Sequence, residues 1–231
     1  VAAVSLVSLV PSALAQTVTM DVTNPGNNIL GGVYVGPYYA TVGNETNVPI
    51  ICDDFEDETF VNTPWQAKVT TVSQGGTTWM TQKLGLSAAQ EAADYAQAAY
   101  LAEQLVSSSA TCPATANCAG DIQFAIWNIF DPSASHLGTY TTGPLSHLTG
   151  NDLSNALWWQ QKAATLFPVG SNATSQFSNV SVYSPYPTGP PQEFLRVNTP
   201  EASALVTLGC ELLLLVAGTV LLRRKMAIVI D

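Results

Sequence analysis

Apolar and polar residues alternate in several short runs of this chain and recur at helical spacing in three longer ones. After Gln16, TVTMDV alternates as a strand with one buried face does, and Asn24-Pro25-Gly26 supplies the turn that ends it. GGVYVGPYYATV is rich in β-branched and aromatic residues and is broken by Gly36-Pro37, and VPIICDDF is an apolar strand running into Cys52. QAKVTTVS continues the pattern, with Lys68 and Thr70 outward if Ala67 and Val69 mark the inner face. Ser87 with Gln90 three residues on is a capping box, and AAQEAADYAQAAYLAEQLV then places Ala92, Tyr95, Ala96, Ala99 and Leu105 at helical spacing. A second helix is predicted over residues 121–130 and a third from Asp152 through LSNALWWQQKAATLF, with Pro132 and Pro168 stopping them. NVSVYS reads as a strand between polar loops in residues 170–191, and EFLRV as the last strand. Strands, then helices, then strands predict an α+β domain over residues 16–198, with a mainly antiparallel sheet and about three helices.

The two ends are different. VAAVSLVSLVPSALAQ has the apolar run and small-residue site of a secretory signal, cleaved after Ala15, so residues 1–15 are expected to be a signal peptide whose start is missing. Residues 202–222, ASALVTLGCELLLLVAGTVLL, are about 21 residues long, enough at 1.5 Å per residue for a roughly 30 Å hydrocarbon core. Arg223, Arg224 and Lys225 follow, and positive residues stay cytoplasmic, which puts the domain outside. Glu211 within the span costs roughly 2.5–3.5 kcal/mol near the bilayer centre, which the surrounding apolar run absorbs. Thr199-Pro200-Glu201-Ala202, the span and the basic stop together resemble the sorting tail of PEP-CTERM proteins. That resemblance implies a Gram-negative envelope and an exosortase-type membrane protease that cuts near Pro200-Glu201 and passes the protein to the cell surface. Ala202 stands where the family has a second proline, and MAIVID extends past the basic stop.

Composition agrees with export. The chain has 231 residues, 47% hydrophobic but only 10% charged, against about 25% charged in an ordinary soluble protein, so Ser, Thr, Asn and Gln must supply its polar surface. A formal charge of -10 and the lack of a basic stripe exclude nucleic acid as a partner. No phosphate loop, HExxH, Gly-x-Ser-x-Gly or paired CxxC is present, and two histidines are few for zinc, so neither a conventional enzyme nor a cofactor or metal is expected. The run Asp53, Asp54, Glu56, Asp57 and Glu58 has the oxygen density of a Ca2+ site without its loop spacing, and a solvated acidic turn is expected there. Trp158 and Trp159 point about 100° apart on a helix, one into the core and one at its edge.

Cysteine chemistry adds one sharper expectation. Cys52, Cys112 and Cys118 lie in the exported part, where oxidation is allowed, and Cys210 lies in the apolar tail. CPATANC could close a small Cys112–Cys118 disulfide if the Cα atoms come within about 7 Å, leaving Cys52 over. Ile51-Cys52-Asp53 at a strand end and Ile122-Gln123-Phe124-Ala125-Ile126-Trp127 on a helix resemble the thioester domains of bacterial surface adhesins. The resemblance implies an internal Cys52–Gln123 thioester, walled from water by Ala125, Ile126 and Trp127, with His136 or His147 available for proton transfer. The plainer alternative is a small buried Cys52 and a core Trp127. The chain is therefore expected to be an exported surface or extracellular-matrix protein, structural or adhesive, with a surface or polysaccharide ligand. The alternative is a covalent binding module built on Cys52 and Gln123.

Overall fold

Six of the strands close into an antiparallel barrel in the computed structural model, which describes residues 16–107, 117–136 and 139–198. They are β1 (Gln16–Asn24), β4 (Tyr38–Val42), β5 (Glu45–Cys52), β6 (Trp65–Thr71), β9 (Val180–Tyr186) and β10 (Phe194–Val197), in the order β1-β4-β5-β10-β9-β6 around the barrel. Pairing of β1 with β6, Val18 opposite Ala67 and Met20 opposite Trp65, closes the ring and removes the open edges that a flat sheet would leave. Two small hairpins sit outside it: β2 (Ile29–Leu30) with β3 (Val33–Tyr34), and β7 (Ser135–His136) with β8 (Thr139–Tyr140).

Four α-helices are present among the described residues rather than about three: α1 (Trp79–Leu84), α2 (Ala88–Val106), α3 (Cys118–Phe130) and α4 (Gly150–Leu166). The unforeseen one is α1, six residues with little apolar pattern, started by Thr78 capping the Thr81 N–H and stopped by Gly85 in the left-handed conformation. Its stability comes from distant partners, not from propensity. Ser87 caps α2 by accepting from the Gln90 N–H, as its sequence predicts. No helix among the described residues is long and apolar enough to cross a membrane, and residues 202–222 lie outside them.

Two cores share one wall of the barrel. Ile50 and Cys52 join the interior cluster with Met20, Val22, Ala40, Ala67, Tyr183 and Phe194, whereas Ile51 joins Val182, Leu195 and the helices on the outer face. The two-residue period of a strand explains why Ile50, Ile51 and Cys52 are all buried: alternate side chains enter different cores. By contrast β1, packed on one face only, shows the ordinary alternation of buried and exposed positions. Every residue from Gly120 to Phe130 is buried, because α3 is covered by the barrel, α2 and α4 together. That position lets a side chain of α3 reach the end of β5.

Candidate functional site

Cys52 ends β5, held opposite Phe194 of β10, and its side chain is fully buried. Gln123, also fully buried, reaches it from α3: Nε2 donates to the Cys52 carbonyl oxygen at 2.6 Å across 71 residues of chain. The structure thus brings the two residues of the predicted pair into direct contact. Two other buried polar side chains of the helix bond to α4. Asn155 of α4 donates to Asp121 at 3.0 Å, and Asn128 donates to Gln160 at 2.9 Å, but Gln123 turns away from the helices, and its Oε1 is buried without a hydrogen-bond partner.

Aromatic rings enclose the pair. Phe124 and Trp127 lie in the barrel-side core with Cys52, their ring centroids 5.0 Å apart, and Phe55 packs tilted against Trp127 at 5.1 Å. Tyr38 meets Phe194 edge-on at 6.1 Å. Ala125 and Ile126, expected from the sequence to form the wall, instead face the helical core. Helical geometry gives the reason: Phe124 and Trp127 are three residues apart and share one face, whereas Ala125 and Ile126 between them point around the helix to the other core. Beside the wall lies a groove of about 540 Å3, lined by Tyr38, Phe55, Phe60, Trp127 and Phe194, with Asp57 and Glu58 as its charged lining.

Electrostatics keep the thiol protonated. Burial, then the fields of Asp53 and Asp54, push the Cys52 pKa well above its ordinary value, while the Trp127 indole N–H opposes them. The thiol donates to the Asp54 carbonyl oxygen at 3.0 Å. Asp53 and Asp54 are themselves fully buried, so this part of the acidic run is not the solvated turn expected from the sequence. Lys83 of α1 explains Asp54: Nζ lies 3.0 Å from Asp54, 3.1 Å from Asp57 and 3.3 Å from Glu56. Burial opposes the charge on Lys83, but its bonds to Asp54 and Asp57 outweigh that and raise its pKa. Asp53 faces Glu193, a fully buried residue with no sequence signal, which accepts from Tyr95 Oη, from Ser184 Oγ at 2.5 Å and from the Trp79 N–H at 2.7 Å. Burial raises the pKa of both carboxyls, and each is further shaped by the other.

The remaining sequence-predicted residues are dispersed. Cys118 is disulfide-bonded and Cys52 is free, while Cys112, Ala15, Pro200, Glu201, Arg223, Arg224 and Lys225 lie outside the described residues. His147 is exposed, with its ring edge-on to Phe55 at 5.4 Å and Nδ1 3.2 Å from the Gly31 carbonyl oxygen; His136 falls in β7. Trp159 is buried and Trp158 is 40% exposed, with Lys162 Nζ within 4.8 Å of both rings. Among the described residues no group of three or more His, Cys, Asp or Glu could hold a metal ion. No protein-family model, curated protein or solved structure matches this chain, so the Cys52–Gln123 pair is where a functional reading starts.

Proposed function

We propose that this chain is an exported bacterial surface protein whose barrel-and-helix domain forms an internal thioester between Cys52 and Gln123 and uses it to attach covalently to a target. The observation that supports this reading is the 2.6 Å contact between Gln123 Nε2 and the Cys52 carbonyl, made by two buried groups under an aromatic wall. A structural glutamine in a core is normally bonded at both ends of its amide, because each unpaired polar atom costs roughly 1–3 kcal/mol. Gln123 leaves its oxygen unpaired and sits beside the one free cysteine of the described residues.

The chemistry balances without an outside oxidant. Cys52 gives up its thiol proton, and the thiolate sulfur adds to the side-chain carbonyl carbon of Gln123; the C–N bond then breaks, and the nitrogen leaves as ammonia carrying that proton. A nucleophile on the target, an amine or hydroxyl, later attacks the same carbon, breaks the C–S bond and returns the thiol. Phe55, Phe124 and Trp127 keep water from reaching the bond first, and the adjoining groove offers the target an approach. The secretory signal with its Ala15 site, the apolar span and the Pro200-Glu201 tail support presentation of the domain outside the cytoplasmic membrane, sorted by an exosortase-type protease.

Intact mass of the purified protein tests the bond. The expected mass is lower than that of the full chain by one ammonia. The deficit should vanish in Cys52→Ala and Gln123→Ala, and wild type should gain one methylamine on treatment. A wild-type protein of full mass whose Cys52 can be alkylated after unfolding is a structural cysteine, and the reading fails.

A further inference from the structure

The two ends of the Gln123 carboxamide are held by different means. Nε2 has its hydrogen bond to the Cys52 carbonyl, while Oε1 is buried without a partner. Shape holds the oxygen. It lies against Gly36, in the turn between β3 and β4, where a Cβ would fall 2.6 Å from Oε1 and 3.7 Å from the amide carbon. The next neighbour, Tyr38 Cε2, is at 3.6 Å, an ordinary contact. Gly36 does not have the left-handed φ that Gly31, Gly32 and Gly43 show, and a residue before proline favours extended backbone, which alanine adopts readily. Backbone conformation therefore does not demand glycine here. What demands it is the Gln123 oxygen.

We propose that Gly36 is a positioning residue for the acyl group: the missing side chain makes the seat for Gln123 Oε1. That seat turns the nitrogen, the leaving group, toward the Cys52 carbonyl and fixes the plane of the amide for the sulfur. The inference rests on the thioester reading. A methyl group at position 36 must push the oxygen away, and because Oε1 is the free end of a flexible side chain, the carboxamide yields while the turn stays. A misplacement of about 1 Å at a reacting group slows chemistry by about 100-fold. Gly36→Ala thus separates folding from reaction.

The experiment compares wild type, Gly36→Ala, Gln123→Ala and the double variant by intact mass over time, methylamine incorporation and thermal unfolding. The expected result is a folded Gly36→Ala with Tm within about 4 °C of wild type and ammonia loss slowed about 100-fold. Gly36→Ala that loses ammonia at the wild-type rate overturns the proposal. Should Gly36→Ala unfold, the double variant decides: removing the Gln123 side chain relieves the clash and restores Tm if the seat is for that oxygen. Failure to restore it overturns the proposal. If wild type never loses ammonia, the thioester reading fails, while the double-variant cycle still shows whether Gly36 and Gln123 are coupled.

Discussion

Replacing Asp53 with Asn should make the folded protein more stable at neutral pH, by an amount that grows as the pH rises. Asp53 and Glu193 are both fully buried and face one another. Glu193 is the better carboxylate of the two: burial raises its pKa, but bonds from Ser184, Tyr95 and the Trp79 N–H pull it back. Asp53 has little such help. Burial, then the fields of Glu193 and Asp54 and its side-chain contact with Glu193, raise its pKa well above the ordinary value and outweigh one backbone bond, so it is the member of the pair that holds the proton. In the unfolded chain an Asp titrates near pH ~3.9. A folded pKa above the unfolded one means that the native state binds the extra proton between the two, so stability falls as pH rises through that window. The slope is about 1.4 kcal/mol per pH unit for one proton. Asn keeps the shape, needs no proton and can donate to Glu193. The stability difference between Asp53→Asn and wild type should therefore widen as the pH rises above the unfolded Asp value, by at most about 1.4 kcal/mol per pH unit. Asp94, raised by burial to about 6, adds a slope of the same sign, but to both proteins, and it cancels in the difference. Urea unfolding at constant ionic strength measures this. Parallel pH profiles, or a variant less stable than wild type at pH 7.5, would refute a shared buried proton.

Two further outcomes follow from the same region. Lys83→Met removes the cation that faces buried Asp54 and should cost about 2 kcal/mol at pH 7. The loss should shrink at acid pH because Asp54, its pKa raised first by burial, protonates early on the way down; an equal loss at pH 4.5 and 7 in urea unfolding counts against the pairing. Ammonia loss from freshly refolded wild type should quicken about tenfold per pH unit between roughly pH 7 and 9, since the reactive thiolate is a minor species below a raised Cys52 pKa. A rate by mass spectrometry that levels off near pH 8 contradicts the buried thiol.

Local structure was legible in the sequence wherever one residue's neighbours decide it. The alternation in TVTMDV, the Ser87 cap and the proline stops after α3 and α4 depend on positions at most a few residues apart, and the structure has them. Barrel closure was not legible, because alternation tells which face of β1 is buried and not that β6 lies beside it. The burial of the acidic run was not legible for a related reason. Asp53 and Asp54 read as solvated charges until Lys83 and Glu193, far along the chain, are placed against them. Cys52 and Gln123 were legible as a pair through the resemblance of their two short motifs to bacterial thioester domains, with Cys52 also the odd cysteine of the exported part. Gly36 was not. It reads as a turn residue, and only its distance to the Gln123 oxygen gives it another reason to be glycine.

Burial of the pair acts in opposite directions on making the bond and on keeping it. Desolvation raises the Cys52 pKa because it penalises the thiolate, so the environment slows the attack that forms a thioester. The product carries no charge and gives up the amide's N–H donors along with the thiol proton, so the same environment penalises it less than it penalises the reactants' polar groups. The reaction also takes a donor from the Cys52 and Asp54 carbonyl oxygens, whereas the Gln123 oxygen is already unpaired against Gly36 before it. Slow formation and long survival are what the proposed thioester would need, as a bond made once when the domain folds and held until a target reaches it.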